Sequence, residues 1–97
     1  MFYEILKKKI SKKTITVCVL GLGYVGLPVC YNFAKKGFNV IGFDKDTSKI
    51  NQLKQGKVSS IDIKKNLFTE LVKKKKIFLT VNEVFLKKAD VYIICVP

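Results

Sequence analysis

The sequence predicts an α/β fold built on a parallel sheet, and three observations carry that reading. An apolar strand, Val17 to Leu20, runs directly into Gly21-Leu22-Gly23-Tyr24-Val25-Gly26, a G-x-G-x-x-G turn that opens a helix. A second strand ends in Asp44, eighteen residues beyond the last glycine of that turn. Val91 to Val96 is a continuous apolar run of the kind that a parallel sheet buries on both faces. Together they predict a Rossmann-like doubly wound parallel sheet. It is incomplete at 97 residues, holding the first mononucleotide-binding half plus a fourth strand.

Each glycine of the turn answers a separate need: Gly21 a tight turn, Gly23 an approach of backbone to phosphate without a Cβ, and Gly26 close packing of helix on strand. A pyrophosphate placed there meets free N–H groups and the positive end of the helix dipole. Val29, Cys30, Phe33 and Ala34 keep the spacing of one helix face, which Lys35, Lys36 and Gly37 close as a basic last turn with a glycine stop. Phe38 to Phe43 is the second strand, and Asp44 follows where the fingerprint expects an acid for the adenosine ribose. Asp46 is expected to cap a helix carrying Ile50 and Leu53 that stops near Gly56. Asp62 is expected to cap another, carrying Ile63, Leu67, Phe68, Leu71 and Val72. Ile77 to Val81 reads as a third strand, Glu83 to Lys88 as a short helical turn, and strand order 3-2-1-4 follows. Residues 1–97 form one partial domain with a basic extension over 1–13, expected to be a fragment of a longer protein.

Composition narrows the function classes. Hydrophobic residues make up 48% of the chain, yet no apolar run reaches the ~20 residues needed to cross a bilayer. Met1 to Lys13 lacks the apolar core and cleavage site of a secretory signal. Phe2, Ile5, Leu6 and Ile10 lie at helical spacing among Lys7, Lys8 and Lys9, so an amphipathic helix that packs on protein rather than on membrane is expected. Cys18, Cys30 and Cys95 are odd in number, form no C-x-x-C pair and fall where cysteine acts as a small buried hydrophobe. With no histidine, the chain offers no metal site and no Cys–His or Ser–His nucleophile, and a reduced, cytoplasmic setting is expected. The net charge of +12 suggests a polyanionic partner, but every basic residue is lysine and the arginine fork that reads guanine is missing. Lysines grouped at Lys64-Lys65, Lys73 to Lys76 and Lys87-Lys88 read as solvated helix ends, which makes a basic nucleic-acid-interaction protein the weakest reading. A stand-alone nucleotide-binding or regulatory module is the alternative to an enzyme fragment.

The octapeptide Gly21-Leu22-Gly23-Tyr24-Val25-Gly26-Leu27-Pro28 is far more specific than its glycines alone. With Phe33-Ala34-Lys35-Lys36-Gly37, Gly42-Phe43-Asp44 and the closing Ala89-Asp90-Val91 to Val96-Pro97, it resembles the NAD-binding domain of the nucleotide-sugar (UDP-glucose/GDP-mannose) 6-dehydrogenases. The lysine-rich lead Ile5 to Lys13, with Gly56, Ser60, Ile61 and Ile63, is similar to the UDP-N-acetylglucosamine/UDP-N-acetylgalactosamine type. Asn82 stands where this family often carries aspartate and Glu83 where a hydrophobic residue is usual. The resemblance implies a UDP-sugar substrate whose C6 hydroxymethyl is oxidised to a carboxylate with two NAD, in a homodimer or larger assembly of the full-length enzyme. It also implies a cysteine nucleophile in a later domain, so none of the catalytic residues falls in this sequence. On the cofactor side it implies the backbone N–H groups of Gly23, Tyr24 and Val25 at the pyrophosphate, with Gly21, Leu22 and Gly26 as the rest of the cofactor-binding turn. Asp44 is implied on the ribose hydroxyls, Lys49 beside the adenosine, and Val96 and Pro97 near the far end of the cofactor.

Overall fold

The computed structural model describes residues 14–95, so the amphipathic reading of 1–13 and the roles given to Val96 and Pro97 lie outside the described residues. Four parallel strands, β1 (Thr16–Leu20), β2 (Asn39–Phe43), β3 (Ile77–Thr80) and β4 (Val91–Ile94), pair in the order β3-β2-β1-β4. Between them run helices α1 (Gly26–Lys35), α2 (Thr47–Lys54) and α3 (Lys65–Lys73), with a 3₁₀ turn over Glu83–Lys88 leading into β4. The predicted strand order and α/β class are those observed.

The two faces of the sheet are covered unequally. Register aligns Val17 with Val40 and Ile77, and Val19 with Gly42 and Leu79, on the face that meets the helices. There they join Cys30, Tyr31 and Ala34 of α1, Ile50 and Leu53 of α2, and Phe68 and Leu71 of α3 in one buried cluster. Cys18, Ile41 and Phe43 point the other way, against Leu86 and Ala89 of the 3₁₀ turn. The expectation that the last strand is buried on both faces is therefore corrected. Tyr92 is 48% and Ile94 69% exposed, because β4 is an edge strand and the opposite face is covered only by the 3₁₀ turn among the described residues. Its entry is nonetheless fixed: the Thr16 N–H donates to Asp90 Oδ2 at 2.9 Å while the Asp90 N–H donates to the Thr16 carbonyl at 2.8 Å. The Tyr92 hydroxyl also donates to the Leu86 carbonyl.

Helix ends follow local chemistry. The Asp46 side chain caps α2 by accepting the Lys49 N–H at 3.1 Å, as the sequence predicts. Gly37 and Gly56 take positive φ values of 102° and 80° just past α1 and α2. Asp62, by contrast, is not the cap of α3. The helix begins two residues later, with Lys64 at the cap position and no side-chain hydrogen bond there. What sets the entry is apolar: Ile63 just outside the helix and Phe68 inside its first turn occupy the staple positions, and both are buried in the main cluster. Asn82 caps the 3₁₀ turn by accepting the Val84 N–H at 3.0 Å, so the amide serves where an aspartate is usual.

Candidate functional site

The carboxyl ends of the strands converge on one region because ladder hydrogen bonds continue past their last residues. The Gly21 N–H donates to the Phe43 carbonyl at 2.9 Å and the Cys95 N–H to the Leu20 carbonyl at 2.8 Å. These bonds hold the glycine turn between the ends of β2 and β4. The result is an open cleft of about 950 Å³ walled by the turn from Gly21 to Val25, by Asp44, Lys45, Asp46 and Lys49, and by Ile94 and Cys95.

The three glycines are distinguishable by geometry. Gly21 has φ of 100°, a conformation that side chains disfavour. A Cβ on Gly26 would lie 1.6 Å from the Gly21 carbonyl oxygen and 3.2 Å from the Cys95 Cβ, so only glycine lets α1 approach the turn and β4 this closely. A Cβ on Gly23 would meet no atom within 4 Å. The fold does not require glycine at that position, and the space above it belongs to the cleft. Val25 sits at the cap position of α1 without a side-chain cap, and the first turn carries no acid, so the positive end of this helix is left uncompensated beside the cleft. Tyr24 is fully exposed on the same turn.

Asp44 does more than face the cleft. Its Oδ2 accepts the Leu22 N–H at 2.9 Å, its Oδ1 accepts the Asp46 N–H at 3.0 Å, and the Lys49 ammonium lies 3.8 Å from Oδ2. Partial burial works against ionisation. The hydrogen bonds from Leu22 and Asp46, the Lys49 charge and a further bond from the Lys45 N–H outweigh it and hold the carboxyl below its ordinary value. One carboxylate thus ties the glycine turn after β1 to the end of β2. A carboxylate offers about four lone-pair sites, so three backbone bonds still leave acceptor capacity for a ligand hydroxyl. The sequence reading placed Asp44 and Lys49 at the site but missed this bond to Leu22, which pairs residues far apart in the chain. It also missed Ile94 and Cys95 as cleft residues, although the rule that ligands bind at the carboxyl ends of strands points to both.

Residues 15–97 match the model of the UDP-glucose/GDP-mannose dehydrogenase family, NAD binding domain. The chain belongs to this family. It is 38% identical over 92 residues to a UDP-N-acetyl-D-mannosamine dehydrogenase of Methanococcus aeolicus, which covers 95% of this chain and 20% of that protein. It is 39% identical over 85 residues to a UDP-N-acetyl-D-glucosamine 6-dehydrogenase of Pseudomonas aeruginosa, covering 88% of this chain and 19% of that protein. Among solved structures, UDP-D-ManNAc dehydrogenase from Pyrococcus horikoshii superimposes with a TM-score of 0.77 at 33% identity, over 84% of this chain and 20% of the other. A ternary complex of GDP-mannose dehydrogenase from Pseudomonas aeruginosa gives 0.73 at 28% identity, over 84% and 19%. The chain spans about one fifth of the length of these relatives.

In this NAD binding domain the cysteines divide by environment. Burial pushes the Cys18 thiol up to about 11 and the Cys30 thiol to about 12, so both stay protonated and inert. Cys95 is half-buried on the cleft wall. Among the described residues no helix is long and apolar enough to cross a membrane.

Proposed function

We propose that this chain is the cofactor-binding portion of an NAD-dependent UDP-sugar 6-dehydrogenase. The observation that carries the proposal is the open space above Gly23 beside the uncompensated N-terminus of α1. A diphosphate seated there meets the N–H groups of Gly23, Tyr24 and Val25, those of Gly21 and Leu22 being held by Phe43 and Asp44, and exchanges water for fixed N–H dipoles. Asp44 accepts from the adenosine ribose hydroxyls with the capacity left by its backbone bonds, Lys49 lies beside the adenosine, and the nicotinamide end is the place that the family resemblance gives Val96 and Pro97, which lie outside the described residues.

The overall change converts a primary alcohol, water and two NAD⁺ into a carboxylate, two NADH and three protons. Each hydride leaves C6 of the sugar, and one oxygen of the carboxylate comes from water. No nucleophile for this chemistry is assembled in the described residues: Cys18 and Cys30 are buried thiols, and the sequence has no histidine to act as base. The reading therefore assigns the covalent steps to residues outside this chain, in a cytoplasmic enzyme that assembles as a homodimer or larger. N-acetylated UDP-hexosamines are the substrate class that the named relatives support. The test is a titration of the chain with NAD followed through amide chemical shifts. Shifts at Leu22 to Val25 and Asp44 are expected, whereas shifts confined to other surfaces would refute the site.

A further inference from the structure

We infer that the adenosine end of this cleft accepts a 2′-phosphorylated dinucleotide as well as NAD, with Lys45 and Lys49 as the partners of the phosphate. The inference rests on the cofactor reading above and concerns its specificity. An acid at the end of the second strand selects NAD in two ways: it accepts from the 2′-hydroxyl, and it repels a phosphate in that place. Here the second effect is offset. Asp44 has an oxygen on each of two backbone N–H groups and the Lys49 ammonium 3.8 Å from Oδ2, so its charge is spread over partners already present.

Asp46, the other acid on the cleft wall, is turned to the Lys49 N–H as the cap of α2. Against these two carboxylates stand two ammonium groups on the same wall, Lys45 and Lys49, so the formal charge there sums to zero. Lys45 is exposed and directly follows Asp44, a place from which a long cationic side chain reaches the 2′ position of a ribose held by its neighbour. A 2′-phosphate takes the Lys49 ammonium from Asp44 and adds that of Lys45, replacing one partly exposed ion pair with a doubly charged acceptor.

The experiment is an amide chemical-shift titration of the 97-residue chain with NAD and with NADP at low ionic strength. It is repeated on a Lys45→Ala/Lys49→Ala double variant and on Lys54→Ala, which removes an exposed charge at the far end of α2 outside the cleft. NADP is expected to bind within about tenfold of NAD, the double variant to lose about tenfold more in NADP affinity than in NAD affinity, and Lys54→Ala to leave the ratio unchanged. NADP weaker than NAD by more than about tenfold in the parent chain overturns the inference. An equal loss of NADP affinity in Lys54→Ala and the double variant also overturns it, because the attraction would then belong to the net charge of +12. Absence of binding by both dinucleotides overturns the cofactor reading itself, which separates the two failures.

Discussion

At the scale of single residues, glycines that look alike in the motif have different duties, and substitution separates them. Gly26→Ala forces a methyl onto the Gly21 carbonyl and should cost on the order of 3 kcal/mol or more, read as a drop in the unfolding midpoint. A Cβ at Gly23 meets open space, so in Gly23→Val the fold should persist while the diphosphate is excluded. The packing duty of Gly26 was legible in the sequence because it follows from the absence of a Cβ. The sequence could not reveal that Asp44 is a latch between the glycine turn and the end of β2. The Leu22 N–H that it accepts is distant in sequence, and no local pattern encodes that bond. Since the native carboxyl titrates below its unfolded value, the stability that it contributes is complete above about pH 4. That contribution disappears as pH falls through the lower native value. Asp44→Asn should therefore flatten the acid limb of a pH-stability curve, and an unchanged limb would show that the latch adds nothing.

At the scale of elements, the helix starts and stops with dedicated residues were legible, and those set by packing were not. Asp46, Gly37 and Gly56 announce themselves by type, whereas α3 starts where Ile63 and Phe68 can both reach the core, two residues later than a cap at Asp62 predicts. The end of α3 is also atypical. Lys75 holds φ of 61°, in the left-handed region, while its N–H donates to the Val72 carbonyl and the Lys76 N–H to the Leu71 carbonyl. A side chain there costs about 1–2 kcal/mol, of which glycine's greater freedom in the unfolded chain returns part, so Lys75→Gly should stabilise by about 0.5–1 kcal/mol in denaturant unfolding. Destabilisation would mean that the Lys75 side chain has a packing role that its exposure belies. Removing the cap of α2 by Asp46→Ala should cost about 1 kcal/mol in the same assay.

At the scale of the whole molecule, one face of the sheet is finished and the other is not. Helices seal the Val17, Val40 and Ile77 side, while Phe78, Tyr92 and Ile94 remain exposed on the side covered only by the 3₁₀ turn among the described residues. The strand order was readable because each strand carries its own apolar signature; the exposure of β4 was not, because an apolar run looks the same at an edge as in the middle of a sheet. Exposed apolar strands associate, so the 97-residue chain should show a concentration-dependent sedimentation coefficient, and a chain extended through the next strands should be more stable and bind NAD more tightly. The central claim, that the glycine turn receives the diphosphate of NAD, is tested most directly by titrating NAD into the parent chain and into Gly23→Val. Saturable shifts at Leu22 to Val25 that vanish in the variant, with an unchanged circular-dichroism spectrum, are the predicted result; equal affinity in a folded Gly23→Val chain would contradict it.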